Sequence, residues 1–216
     1  MADDRVKRPI LRGKDIKKYG FDWKGLYLIN FHNGIPNKNV PALQIKDFPS
    51  LKNYFDLYYT KLAGRDDQGV TPYNLRSCAY LDEFSKPKIL YSEIVQDARF
   101  YLDNNNKFFP EATAFSLTGE NLDYLCVCLN SSFISWVFKT FYAGGGLGEH
   151  GYRYKKAFLL ELPLPHNLLQ IEQVRDTVNA CYEEKTASDF DSKVNEIIYK
   201  QYGLSAEEIS YIETNK

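Results

Sequence analysis

Residues 121–142 read NLDYLCVCLNSSFISWVFKTFY, and this apolar stretch decides the fold class. Apolar side chains recur in it every three or four positions, which is the period of one helical face. They are Leu122, Leu125, Cys126, Leu129, Phe133, Val137 and Phe141. Because serine and asparagine side chains compete for backbone hydrogen bonds, Asn130-Ser131-Ser132 is expected to divide the stretch into two buried helices.

Three short runs typical of strands precede these helices. They are PKILYSEI (87–94), ARFYLD (98–103) and ATAFSLT (112–118), separated by three asparagines at 104–106 and by Pro110. β-branched and aromatic residues bounded by turn residues are typical of strands. The sequence therefore predicts an α+β fold with a mixed sheet and buried helices.

The front of the chain contains a predicted hairpin and a predicted helix. KGLYLIN (24–30) and NVPALQI (39–45) are apolar runs separated by His32-Asn33-Gly34 and Pro36, which indicates two paired strands with a looped turn. From Ser50, a candidate N-cap, apolar residues then recur at helical spacing up to Gly64. This pattern predicts an amphipathic helix over 50–62.

The rear of the chain is expected to be helical. The glycine-rich loop AGGGLGEHG (143–151) leads into RYKKAFLLELPLP (153–165), which predicts a basic segment, a strand and a proline stop. Beyond it, apolar stripes predict two helices, the second ended by Gly203, and Ser205 to Glu208 forms a capping box before a last helix. The stripes are Ile171, Val174, Val178 and Cys181, and then Phe190, Val194, Ile197 and Ile198. We therefore expect two domains, 1–165 and a helical segment over 166–216 that packs on the first or on a partner.

Composition excludes several classes of protein. The 216 residues are 44% hydrophobic and 25% charged, as in a globular protein. No stretch is apolar enough to span a membrane, and the start lacks the apolar core of a secretory signal, so a cytoplasmic location is expected. The four cysteines form no CxxC pair, which favours buried reduced thiols over disulfides or zinc ligands.

Charge is distributed unevenly, although the formal net charge is only −1. Eight of the first 24 residues are basic, and the last 35 residues lean acidic. A basic front suits an anionic partner, while an ordinary solvated surface is the alternative. Basic residues interleaved with hydrogen-bonding side chains recur in RPILRGKDIKKYG (8–20), TPYNLRSC (71–78) and GYRYKK (151–156). Cations and planar donors of this kind are what phosphate contact and base reading in DNA require.

Two enzyme-like patterns have plainer explanations. Gly146-x-Gly148-x-x-Gly151 matches a dinucleotide-binding spacing, but the strand that should precede it and the helix that should follow it are not predicted there. Asp82, Glu83 and Glu93, with Lys86 and Lys88, loosely resemble a nuclease site, yet turn and strand-edge charges are far commoner. We expect no metal site.

At these motifs the sequence resembles the TaqI-like C-terminal specificity domains of adenine-N6 DNA methyltransferases in type II and type IIG restriction-modification systems. The resemblance spans nearly the whole chain. The motifs that show this resemblance are, in order along the chain, RPILRGKDIKKYG, YFDLYYTKLAGR (54–65), YNLR (73–76), KPKILYSEI (86–94), YLCVCLNSSFISWVF (124–138), GYRYKKAFLLELPLP (151–165) and FDSKVNEIIYKQYGLSAEEISYIE (190–213).

The resemblance implies a target-recognition domain over 1–165 that grips double-stranded DNA beside the methyltransferase domain of the same parent protein. That separate domain would bind S-adenosylmethionine and methylate a flipped adenine. The chain contains no Asn-Pro-Pro-Tyr motif, so we expect a non-catalytic fragment that begins just upstream of Arg8 and holds no cofactor, from a parent that could also carry an endonuclease. The alternative is a protein-docking module for a methyltransferase or nuclease subunit.

The resemblance and the basic motifs also supply candidate DNA contacts. These are Arg12, Lys14, Lys17, Lys18, Arg76, Lys86, Lys88, His150, Tyr152, Arg153 and Lys155. No catalytic or metal-binding residue is expected among them.

Overall fold

A computed structural model describes residues 3–144, 146–148, 151–164, 172 and 187–215. It confirms the predicted α+β class. The chain divides into two compact units that are each discontinuous in sequence. Unit 1 comprises Met1–Leu11, Trp23–Lys86 and Asn105–Phe109, and unit 2 comprises Arg12–Asp22, Pro87–Asn104 and Pro110–Lys216. The predicted boundary at Pro165 lies outside the described residues and stays a prediction.

The described residues form ten short strands and seven α-helices. The strands are β1 (Lys7–Leu11), β2 (Ile16–Lys17), β3 (Gly20–Phe21), β4 (Tyr27–Ile29), β5 (Lys88–Ser92), β6 (Ile94–Val95), β7 (Phe100–Asp103), β8 (Phe109–Pro110), β9 (Ala114–Leu117) and β10 (Tyr152–Arg153). The helices are α1 (Pro49–Asp56), α2 (Tyr59–Ala63), α3 (Leu122–Asn130), α4 (Ser132–Val137), α5 (Lys156–Leu159), α6 (Ala187–Gln201) and α7 (Ala206–Asn215).

Unit 1 is built on a small sheet with the order β4-β1-β8. Its core is largely aromatic, because Phe31 contacts both Phe48 and Phe55 edge to face, with ring centroids 5.4 and 5.9 Å apart. Val6 and Leu51 complete this buried cluster. Leu51 and Phe55 of α1 therefore pack against Val6, which immediately precedes β1.

Unit 2 is built on a three-stranded antiparallel sheet with β5 between β7 and β9. Ile89 and Tyr91 of β5 and Phe100 of β7 pack against Cys126 and Leu129 of α3. All three strands were predicted from the sequence, and each is confirmed within two to three residues. The sheet and α3 together form the main core of this unit.

The predicted break between two buried helices is confirmed, and its residues also connect the helices to the sheet. The Ser131 hydroxyl caps α4 by accepting a hydrogen bond from the Ile134 amide at 3.2 Å. The buried Asn130 amide pairs with the backbone of Phe100, accepting from its N–H at 3.0 Å and donating to its carbonyl at 2.8 Å. A π-helical turn over Phe138–Tyr142 continues α4.

The described part of the helical tail packs on the same unit. Phe190, Val194 and Ile198 of α6 lie against Val127 and Cys128 of α3. Gly203, with φ +65°, ends α6, as predicted. The predicted capping box is present, because the Ser205 amide donates to Glu208 at 2.8 Å and the Glu208 amide donates to the Ser205 hydroxyl at 3.3 Å. The first predicted stripe, 171–181, lies outside the described residues.

Three predicted elements were wrong in detail. β4 pairs with β1 (Arg8↔Leu28), so residues 24–30 and 39–45 are not a hairpin. Residues 156–159 form α5 where a strand was predicted, and the strand β10 covers Tyr152–Arg153. The helix over 50–62 begins at Pro49 and is interrupted at Leu57-Tyr58, which divides it into α1 and α2.

Within the described residues, no helix is long and apolar enough to cross a membrane.

Candidate nucleic-acid interface

Arg12 lies at the start of a tight turn in unit 2 and is held by an acidic residue of the same turn. Its Nε donates to Asp15 Oδ2 at 2.7 Å and its Nη2 to Asp15 Oδ1 at 2.9 Å. Asp15 is 3% exposed, whereas the Arg12 side chain is 27% exposed. The hydrogen bonds from Arg12 hold the pKa of Asp15 below its ordinary value, and the same pair raises the pKa of Arg12. The pair is therefore ionised at neutral pH, with its carboxylate buried and its guanidinium reaching solvent.

The next residue, Gly13, fixes this turn against the sheet. Its amide donates to the Thr113 hydroxyl at 2.9 Å, and that hydroxyl donates to Glu111 at 2.7 Å. A Cβ atom at Gly13 would lie 2.4 Å from the Thr113 carbonyl oxygen and 2.7 Å from the Ser92 hydroxyl. Only glycine allows this close approach. The turn is thus anchored at the end of β5, where Ser92 lies.

The second basic motif of unit 2 lies beside the same end of β5. β10 pairs antiparallel with β6, with Arg153 opposite Ile94. The Ser92 hydroxyl donates to the Ile94 carbonyl at 3.3 Å, and the Tyr154 amide donates to the Glu93 carbonyl at 2.6 Å. Residues 92–94 therefore lie next to both the Arg12 turn and the Arg153 strand.

The side chains around β10 differ in burial and in the groups that they contact. Arg153 is half-buried, and its Nε has no hydrogen-bond acceptor among the described residues. Tyr152 is half-buried, with Lys139 Nζ 5.3 Å from its ring centroid. Lys155 is exposed and lies 5.8 Å from the Phe158 ring. Arg153 thus presents an unsatisfied buried donor next to an exposed cation.

The remaining basic residues of the front segment differ in their exposure. Lys14 and Lys17 are exposed, and Lys17 Nζ is 3.5 Å from the Lys14 carbonyl oxygen. Lys18 is half-buried and pairs with Asp191 of α6 at 2.8 Å. Lys14 and Lys17 can therefore meet an anionic partner directly, whereas Lys18 would first have to leave its partner in the tail.

Arg76 and Lys86 belong to unit 1. Arg76 pairs with Asp67 at 3.1 Å, and the two side chains are 70% and 74% exposed. Lys86 pairs with Glu83 at 2.5 Å. Exposed ion pairs of this kind contribute roughly 0–1 kcal/mol, so a phosphate could replace the carboxylate at little cost. The predicted DNA contacts thus lie partly in unit 1 and partly in unit 2.

Lys88 is a correction to the predicted set. It is fully buried, and its Nζ lies 2.9 Å from Oδ2 of Asp103, which is also fully buried. The two residues face each other across the β5–β7 ladder. A side chain without solvent exposure cannot contact DNA, so Lys88 is a core residue. His150 lies outside the described residues and stays a prediction.

Two of the three loosely nuclease-like carboxylates lie in ion pairs. Asp82 pairs with Lys38 at 2.5 Å, and Glu83 is the partner of Lys86. No group of three potential metal ligands occurs in the described part of the chain. Cys126 and Cys128 are buried, as predicted, whereas Cys78 is only half-buried because it lies in a loop of unit 1. Burial raises the pKa of Cys128 to about 12 and also raises the pKa of Cys126. Cys181 lies outside the described residues.

Sequence reasoning missed the residues that support these contacts. Asp15 and Thr113 hold the Arg12 turn, and no motif pointed to Thr113. In the YNLR motif, Asn74 is fully buried and donates to the His32 and Leu43 carbonyls at 3.1 and 3.0 Å. Arg65 donates to the Asn74 carbonyl at 2.9 Å. The spacing of Arg12 and Asp15, three apart in RGKD, is the one signal that could have indicated this support.

Comparison with protein-family models identifies a family that matches most of the chain. The model of the family described as the TaqI-like C-terminal specificity domain matches residues 8–164. This range contains the Arg12 turn, the YNLR loop and the Arg153 strand, and it leaves out the helical tail. No curated protein matches the chain.

Proposed function

Because the chain belongs to the family of TaqI-like C-terminal specificity domains, we propose that it recognises a double-stranded DNA sequence for a restriction-modification methyltransferase. The family match carries this proposal. The position of two basic motifs next to residues 92–94 supports it, since phosphate binding requires cations close together.

We assign the contacts by chemistry. Lys14, Lys17 and Lys155 are exposed point charges suited to phosphates. Arg12, Arg76 and Arg153 carry planar guanidinium groups, which can also read guanine edges. Lys86 and Tyr152 complete the set, and Lys18 joins it when it leaves Asp191.

Arg153 is half-buried, so part of its side chain reaches solvent beside β10. That part could donate to a phosphate or base oxygen. This protein would then perform no chemistry of its own. A separate methyltransferase domain in the same parent protein, acting in the cytoplasm, would bind S-adenosylmethionine and methylate adenine at N6.

The test is selection of this chain on a random-sequence duplex library, followed by sequencing, at low and at near-physiological salt. An enriched motif would support a specificity domain and would name its target. Salt-sensitive binding without a motif would contradict sequence recognition by this chain. Absence of binding at both salt concentrations would contradict the proposal as a whole.

Site assignment is tested with the double variant Arg12→Ala/Arg76→Ala. Each lost phosphate contact should reduce the slope of log affinity against log salt by about 0.9. Arg5→Ala/Lys61→Ala is the matched control, because it removes the same two charges from positions outside the assigned contacts. Equal affinities for the two double variants would refute the assignment.

A further inference from the structure

Asp15 is a buried acidic residue that contacts Arg12, one of the proposed DNA contacts. Its carboxylate is 3% exposed and accepts two hydrogen bonds from the Arg12 guanidinium and a long one, 3.4 Å, from the Arg12 amide. Charge alone would make such a residue unfavourable near DNA, since like charges repel. Its position therefore needs a reason other than attraction to the ligand.

The geometry of the pair supplies that reason. A guanidinium has five N–H donors arranged along two edges. Asp15 engages the edge formed by Nε and Nη2. Nη1 has no acceptor within the described residues, and the side chain retains 27% exposure. One edge is thus fixed inside the fold, while the other remains for a ligand oxygen.

The backbone of the turn is fixed as well. The Gly13 amide donates to the Thr113 hydroxyl, and a Cβ atom at Gly13 would clash with the Thr113 carbonyl oxygen and the Ser92 hydroxyl. A guanidinium held at both its backbone and one edge loses little further freedom when it meets a phosphate. Pre-organisation of this kind raises affinity without adding a contact.

We propose that Asp15 is a positioning residue, which orients the Arg12 guanidinium so that its Nη1 edge binds a DNA phosphate. This inference rests on the proposed function. It predicts that removal of a negative charge from the DNA-binding surface weakens DNA binding, which is the opposite of what charge alone predicts.

The experiment is a double-mutant cycle on the full chain, with a duplex of mixed sequence as the probe. Arg12→Ala and Asp15→Asn should each lower affinity about tenfold, the loss of one charge-assisted hydrogen bond. Arg12→Ala/Asp15→Asn should bind no more weakly than Arg12→Ala alone, since Asp15 acts only through Arg12. Asp15→Asn should also reduce the salt slope by about 0.9, which a general loss of stability would not do.

Asp3→Asn is the matched control, because Asp3 also holds an arginine, Arg5, through two edge contacts of 3.0 and 2.6 Å outside the assigned surface. It should leave affinity unchanged or slightly raised. Asp15→Asn binding as tightly as the wild type, with an unchanged salt slope, would overturn the inference while leaving the proposed function intact. Failure of the wild type to bind would instead contradict the proposed function.

Arg12→Lys provides the test if Asp15→Asn does not fold. It retains the positive charge, but a lysine ammonium cannot hold Asp15 along one edge and present a second edge. It should therefore bind DNA more weakly than the wild type. Wild-type affinity for Arg12→Lys would show that charge alone is needed and would overturn the positioning role.

Discussion

Lys88→Met should lower the free energy of unfolding by about 3–5 kcal/mol, because it leaves a buried carboxylate without its counter-charge. The size of the effect follows from the position of the pair. Lys88 Nζ and Asp103 Oδ2 are 2.9 Å apart, and neither side chain has solvent exposure. Without the ammonium, the Asp103 carboxylate would lose the ion pair that offsets part of its desolvation cost.

Urea denaturation measures this effect directly. Lys88→Met/Asp103→Leu should recover most of the lost stability, because apolar residues of similar volume can replace a buried pair at little or no cost. Lys52→Met is the matched control, since the Lys52–Asp56 pair has a comparable distance, 2.6 Å, but side chains that are 46% and 40% exposed. It should cost far less stability than Lys88→Met, because solvent screens an exposed pair. A loss below about 1 kcal/mol for Lys88→Met, or a double variant as unstable as the single one, would refute the reasoning.

Two further predictions follow from the backbone and from a histidine. Gly151 has φ +94°, and a Cβ there would lie 2.4 Å from the Val95 carbonyl oxygen. Gly151→Ala should therefore separate β10 from β6 and weaken binding to duplex DNA. Wild-type affinity in a binding titration would contradict this. Burial, and to a lesser extent the Arg8 charge, lowers the pKa of His32. Because the unfolded chain then binds a proton more readily than the folded one, the free energy of unfolding should fall as pH drops below about 6.5. Urea midpoints at about pH 7.5 and about pH 5.5 should differ less in His32→Asn than in the wild type.

The sequence predicted best where the pattern was local and strong. Residues 121–142 repeat apolar side chains over six turns, and the capping serine at 131 falls where α4 begins. The strands at 88–92, 100–103 and 114–117 are bounded by turn residues on both sides. Both signals depend on neighbours within a few positions, which a single sequence displays fully.

Prediction failed where pairing depended on distant parts of the chain. The run at 24–30 does contain a strand, but its partner is β1, which precedes it, and not the run at 39–45. Nothing in the residues of one strand specifies which edge it joins. Likewise, 153–165 has the composition of a strand, yet tertiary context makes residues 156–159 a helical turn. Intrinsic propensity is weak enough for packing to override it.

In the candidate site, too, the sequence did not predict which basic side chains are exposed and which are buried. Lys88 and Arg12 are both basic residues in family motifs, and both are paired with a buried aspartate. They differ in exposure because β5 is the central strand of its sheet, flanked on both edges by β7 and β9, and Lys88 faces the buried Asp103 across the β7 ladder. A residue at the start of a central strand is enclosed, whereas Arg12, in a turn, retains a path to solvent. Whether a basic motif residue binds DNA or stabilises the core is therefore decided by its place in the sheet, which strand pairing determines and composition does not.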